Sequence, residues 1–389
     1  MKNEDLSLKL FSSSEQGELS EIEELIKQGV DIEARDAQGR TALMIATQKN
    51  HKEVVEKLIK AGSDVNARDT TLLTPFICAA ANGFDELIPL MVAGGAALSS
   101  VNRFGGTALL PSSEKGYLKT VQLCIDAGVP VNHINDLGWS ALLEAVILGD
   151  GGFLYTDVIQ ALVSAGADPE LEDRDGRTSK QHAENKGQTR ILDVFESGCT
   201  RQRDRILQAK LLLVESCYEE ALAGLESGAQ ENLEVEDLYY KGYILQEMKR
   251  FTEAIDMYSQ ALAIDATNLQ FHFYIANCYR LQKQQDRALE EFDKAIAPTS
   301  KNTFFLYHKS NYLREFGRHE EAVAVMNLLL NLEPTRYDFS FHKANSLRSL
   351  GRHQEAIDAI ENAIANDPAN PLYTAHKTKS LELLQHKND

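Results

Sequence analysis

Two internal periods divide the chain and leave it few ways to fold. The hydroxyls Thr41, Thr74, Thr107 and Ser140 recur every 33 residues, inside Gly-Arg-Thr-Ala-Leu at 39–43, Leu-Leu-Thr-Pro-Phe at 72–76, Gly-Gly-Thr-Ala-Leu at 105–109 and Gly-Trp-Ser-Ala-Leu at 138–142. After Gly198-Cys-Thr-Arg the period lengthens by one. Ala254, Ala288, Ala322 and Ala356 recur every 34 residues, and Ala261, Ala295, Leu329 and Ala363 follow each of them seven positions later. A fixed period of this length means that each copy is one supersecondary unit, which buries its apolar face only by stacking on its neighbours.

In the first part each hydroxyl is placed to N-cap a helix. An apolar stretch follows it, then a Gly or Asn turn, then an amphipathic stretch such as Glu53-Val-Val-Glu-Lys-Leu-Ile, and a close such as Ala61-Gly-Ser-Asp-Val-Asn-Ala. The glycine of the close ends the second helix where a left-handed residue is needed. Each unit therefore reads as a helix–turn–helix with an extended finger. In the second part, small residues at the paired positions let antiparallel helices approach closely, and Pro334 and Pro368 mark two repeat ends.

The first pattern resembles the ankyrin repeat over residues 4–198: a divergent first unit, four clear ones and a last unit from Arg174. The second resembles the tetratricopeptide repeat (TPR), with clear units at 235–268, 269–302, 303–336 and 337–370, a divergent one around Tyr218 and a terminal helix from Pro371. The stretch Tyr373–Lys387 is expected to form a solvated end cap. The fold class expected is all-α: an ankyrin-repeat solenoid over 1–198, followed by a TPR helical-hairpin superhelix with a C-terminal capping helix over 199–389. Two departures from the ankyrin pattern stand out. Met44, Ile77, Leu110, Leu143 and Gln181 occupy the place where the family's helix-opening motif has a histidine, so looser fingers are expected. Ser140 to Thr178 is 38 residues rather than 33, and Gly149-Asp150-Gly151-Gly152 lengthens the turn, as a surface insertion or as a binding loop. Pro89 and Pro111 fall early in helices and are expected to cause local bends only.

Composition narrows the function. With 40 basic against 58 acidic side chains the formal net charge is −18, so the bulk field repels nucleic acid and anionic membrane. Residues 1–198 hold 18 basic and 30 acidic side chains, and residues 199–389 hold 22 and 28. Cys78, Cys124, Cys199, Cys217 and Cys278 are odd in number and lack metal-ligand spacing, which favours reduced thiols. No window approaches a membrane span and the first residues do not form a signal peptide, so a cytoplasmic location is expected. Phosphate loops, nucleophile elbows and paired zinc ligands are missing, so neither an enzyme nor a cofactor or metal is expected. His308, His342 and His376 fall 34 apart on equivalent helices and could mimic a metal site, but Tyr240 and Tyr274 continue the column and it has no carboxylate or thiol.

The candidate ligand residues form ladders. Tyr239, Phe273, Tyr307 and Phe341 make one column on the first helix of each TPR unit. Asn277, Asn311 and Asn345 make a second, and Arg280, Arg314 and Arg348 a third. Positions i, i+4 and i+7 share a helix face, and the TPR resemblance implies that this face lines a concave groove. An Asn amide offers the donor and acceptor that a peptide bond needs, and Arg offers planar donors to carboxylate or phosphate. An extended acidic or phosphorylated peptide fits this chemistry. Duplication relics, with Arg paired to acids such as Glu247 and Glu315, compete as the explanation, as does a groove filled by the chain's own tail or a neighbouring subunit. In the first part, the ankyrin resemblance implies partner contacts at the fingers and the exposed face of the first helices. There Leu73, Arg103, Phe104, Leu137, Trp139, Ile147 and Leu148 have a hot-spot composition, although Trp139 could instead cover the next finger. The resulting expectation is a non-catalytic protein–protein adaptor or scaffold, its fingers holding one protein partner and its groove a peptide. The alternative is a chaperone-type or regulatory binder of a single client across both halves.

Overall fold

The computed structural model describes residues 2–197, 204–227, 234–298, 302–334, 336–366 and 371–385. These residues hold 23 α-helices and a lone β-bridge between Glu172 and Thr178. The chain divides into two compact units, Met1–Cys199 and Thr200–Asp389.

In the first unit the helices alternate between a short apolar inner one and a more amphipathic outer one. Ala42–Gln48 is buried from Ala42 to Thr47, and Pro75–Asn82 from Pro75 to Ala80. Such helices have protein on nearly every side, which explains why their sequences show no polar face. Their partners bury one stripe only: in Lys52–Lys60, Val54, Val55 and Leu58 are inside while the lysines and glutamates face water. Thr41, Thr74, Ser140 and Thr178 each accept a hydrogen bond from the amide three residues on, at 3.2–3.3 Å.

Thr107 departs from this pattern. Pro111 has no N–H to give the Thr107 carbonyl, which instead accepts from Leu110 N at 3.3 Å, and the α-helix starts only at Leu109. The Thr107 hydroxyl is left buried without a hydrogen-bond partner. The cap expected at Thr107 is therefore absent from this unit.

In the second unit Val235–Glu247, Gln270–Leu281, Thr303–Glu315 and Tyr337–Ser349 are the first helices of successive hairpins. Phe251–Ile264, Gln285–Ile296, His319–Leu332 and His353–Asn366 are their partners, and Pro371–Gln385 closes the stack. The repeated Ala254, Ala288, Ala322 and Ala356, and their companions Ala261, Ala295, Leu329 and Ala363, are all fully buried. Gly242 faces Tyr258 so closely that a Cβ there would meet the ring at 2.4 Å. The closing helix buries one stripe, Tyr373, His376 and Ser380, and leaves Thr374, Thr378, Lys379 and Glu382 exposed on the other face.

Candidate functional site

The ankyrin-type fingers begin at Asp36, Asp69, Asn102, Asn135 and Asp173. In each, the side-chain Oδ1 accepts the backbone N–H groups two and four residues on, at 2.7–3.1 Å. Neighbouring fingers are also tied together. Thr70 N donates to Gln38 O, Asp136 N to Phe104 O, and the Arg35 and Arg174 guanidinium groups reach carbonyls one finger away. Asx turns and cross-finger bonds thus hold fingers in which no histidine stands at the helix-opening position. The spacing of these Asp and Asn residues stands in the sequence.

Leu73, Arg103, Phe104, Leu137 and Trp139 are all partly exposed on three consecutive fingers, with the Arg103 guanidinium 5.1 Å from the Phe104 ring centre. A sixth residue belongs with them. Leu72 is 45% exposed and holds φ +61°, where Gly39, Gly105, Gly138 and Gly176 stand in the other fingers. A bulky side chain in left-handed backbone is strained, and such strain persists where the fold over-determines it. Ile147 is half-buried and Leu148 buried, so Leu148 drops out of the surface set.

The inserted turn after Leu148 is not a free surface loop. Lys186 Nζ donates to the carbonyls of Val146, Ile147 and Gly149 at 2.7–3.1 Å, and Gln188 Nε2 donates to those of Val146 and Gly149. A Cβ on Gly149 would strike the Tyr155 ring at 2.5 Å. Asp150 Oδ1 accepts from Gly152 N, while Oδ2 is buried without a donor, and burial pushes the carboxyl up to about 6.

The ladders of the second unit lie side by side but divide into two layers. Tyr239, Phe273, Tyr307 and Phe341 are all buried, stacked between successive first helices: Tyr239 against Tyr274 at 5.1 Å, Phe273 against Phe304 at 5.3 Å, Phe341 against His376 at 4.3 Å. These aromatics form a wall inside the stack and are not a ligand-facing column. A first helix in a stack has neighbours on several sides, so a shared face does not by itself face solvent.

The Asn and Arg ladders interlock. Each Arg donates to the Asn Oδ1 three residues before it: Arg280 to Asn277 at 2.9 Å, Arg314 to Asn311 and Arg348 to Asn345. Arg314 and Arg348 then reach the next first helix, donating to His342 Nδ1 at 2.8 Å and His376 Nδ1 at 2.5 Å. An imidazole nitrogen that accepts from a guanidinium is unprotonated, so His342 and His376 serve as acceptors. His308, packed against Phe273 and Phe304, is buried. Arg280 is bound differently: it pairs with Glu315 at 3.1 Å and lies over the Tyr312 ring. The competing duplication-and-pairing explanation thus describes Arg280. The amide nitrogens of Asn311 and Asn345, one repeat apart, are buried and have no acceptor.

Cys78, Cys124 and Cys278 are free and buried, and burial pushes their thiols up to about 12. Cys199 lies outside the described residues. Among the described residues no group of three metal-binding side chains converges, and no helix is long and apolar enough to cross a membrane.

Residues 7–69 and 76–173 match a family model for ankyrin repeats in three copies. Residues 238–268 and 307–371 match tetratricopeptide-repeat models, and residues 270–336 match one described as YpiA-like, C-terminal tetratricopeptide repeats. Among solved structures, the chain is similar to an ankyrin repeat domain from Acinetobacter baumannii at 42% identity. The match covers 49% of this chain and 96% of that one, with a TM-score of 0.48. It is similar at 32% identity to a second solved ankyrin repeat protein, covering 49% of this chain and 98% of that one, again with a TM-score of 0.48. No curated protein matches the chain.

Proposed function

Because the chain belongs to the ankyrin-repeat proteins and carries tetratricopeptide repeats in its second part, we propose that it is a non-catalytic adaptor. Both repeat types are protein-interaction modules. In this reading the fingers hold one protein through Leu73, Arg103, Phe104, Leu137 and Trp139, and the second unit holds an extended acidic peptide along the Asn and Arg ladders. Nucleic acid is disfavoured as a partner by the formal charge of −18. The buried free thiols suit a reducing, cytoplasmic setting.

One observation carries the peptide half of this proposal. Asn311 and Asn345 stand on equivalent rungs, each amide oxygen taken by an arginine and each amide nitrogen buried without an acceptor. Leaving a buried donor unmade costs about 1–3 kcal/mol, and two equivalent donors one repeat apart suit carbonyls about three residues apart along an extended backbone. The aromatic column supports this surface from behind and does not touch the ligand.

Calorimetric titration of acidic and neutral peptide pools, at low and high salt, tests the assignment. The acidic pool should bind more tightly, its advantage should shrink as salt rises, and Asn311→Ala should weaken both pools by about 1–2 kcal/mol. Equal affinities with no salt dependence would remove the acidic-peptide assignment.

A further inference from the structure

Two hydrogen bonds between successive first helices of the second unit hold only while a histidine is neutral. Arg314 Nη1 lies 2.8 Å from His342 Nδ1, and Arg348 Nη2 lies 2.5 Å from His376 Nδ1. A guanidinium has donors and no acceptor, so each Nδ1 offers its lone pair and the ring proton sits on Nε2. Tyr307 Oη lies 3.5 Å from His342 Nε2, on the side of that proton. The guanidinium stays charged wherever imidazole titrates, because burial pulls Arg348 down only to about 10. Protonating either Nδ1 therefore sets an N–H against a guanidinium N–H, and the His376 ring is buried. Nearby acids on the second helices are engaged elsewhere: Glu321 pairs with Arg318, Glu355 with Arg352 and Glu361 with Lys377. His319 lies beside Arg314 as well, and burial together with that charge holds its pKa below the ordinary value. The earlier hairpins are joined differently. Arg280 pairs with Glu315 at 3.1 Å, His308 packs on the Phe273 and Phe304 rings, and His272 Nδ1 lies 2.8 Å from Glu291 Oε2, a contact that protonation turns into an ion pair.

We propose that the Arg314–His342 and Arg348–His376 bonds form an acid-sensitive latch: as the imidazoles take up protons, the Tyr337–Ser349 and Pro371–Gln385 helices loosen from the stack while the Val235–Ile264 hairpin stays closed. The closed stack needs both rings neutral, so the open state binds more protons. The latch is therefore complete above the ordinary imidazole value of about 6.5 and weakens as pH falls below it. It is independent of what the groove binds.

Amide hydrogen exchange of the full chain, read by mass spectrometry at about pH 7.5 and about pH 5.5 with exchange times scaled for the intrinsic pH dependence of exchange, tests the latch. Protection of Tyr337–Ser349 and Pro371–Gln385 should fall in acid by up to about tenfold for each histidine, and that of Val235–Glu247 and Phe251–Ile264 should not change. Replacing both rings, His342→Asn with His376→Asn, puts an amide Oδ1 where each Nδ1 stood, an acceptor that does not titrate. The double variant should keep its protection at both pH values. Should it fail to fold, His376→Asn alone must still show a smaller acid response than wild type in Pro371–Gln385. Equal wild-type protection at the two pH values, a loss spread evenly over the second unit, or an undiminished acid response in either variant overturns the latch.

Discussion

Thr41 Oγ1 accepts from Met44 N at 3.3 Å, whereas the equivalent Thr107 hydroxyl is buried with nothing to bond. Replacing either by Val keeps the shape and deletes the hydroxyl, so the two substitutions should differ in sign. Thr41→Val loses a cap and should cost about 1 kcal/mol; Thr107→Val removes an unmet polar group and should be neutral or stabilising. Thermal melts of the two variants decide it, and equal destabilisation would show that Thr107 is satisfied in solution. Asp150 gives a second contrast, in pH. Its carboxyl titrates at about 6 in the folded chain against an ordinary 3.8, so the folded state holds the proton more tightly. Its contribution to stability is therefore greatest below about pH 4 and declines as pH rises to about 6. Asp150→Asn keeps the acceptor for Gly152 N without the charge. It should leave the melting temperature near wild type at pH 4 and raise stability by about 1–2 kcal/mol at pH 7; a variant no more stable at pH 7 would mean the carboxylate is solvated there.

At the scale of the helical hairpin, the turns of the second unit show where the repeat is under strain. Lys249 and Lys283 sit at φ +61° and +60°, in the positions that Gly317 and Gly351 fill at +74° and +70°. Only glycine reaches this region without cost. Lys283→Gly should stabilise the chain by about 0.5–1 kcal/mol, less whatever glycine adds to unfolded-state freedom, and Gly317→Lys should destabilise it by a similar amount; urea unfolding of both tests the pair. The hairpins themselves were legible because the 34-residue alanine columns mark the close helix–helix approaches. The facing of each first helix was not legible. Tyr239 and Phe341 share a helix face with the Asn and Arg ladders, yet they are buried against Tyr274 and His376 of neighbouring helices. Periodicity gives a residue's angle about its own helix but not which angle a neighbour covers. The role of the histidines was hidden for a related reason: Arg348 and His376 are 28 residues apart, and only stacking brings the acceptor to the donor. In the fingers, by contrast, the Asx turns at Asp36, Asp69, Asn102, Asn135 and Asp173 are local, and their spacing stands in the sequence.

For the whole molecule, stability in a solenoid is close to a sum of repeat and nearest-neighbour terms, so a break in the repeat separates two cooperative units only if each has its own core and its own ends. Here the period changes from 33 to 34 near the division between Cys199 and Thr200, and each side has its own buried set, from Leu10 to Val194 and from Ile206 to Tyr373. Chains 1–199 and 200–389, expressed apart, should each unfold in a single cooperative transition. If neither does so alone, the two sets of repeats depend on each other and are not two domains. Function follows the same division. An adaptor gains from joining two modest sites because the tether raises the effective concentration of one ligand near the other. Fragment 1–199 should then retain the finger partner, and fragment 200–389 the acidic peptide, each with the affinity of the intact chain. A mixture of the two untethered fragments should fail only to bring both ligands together. Loss of all affinity in both fragments would instead identify one client read across the whole chain.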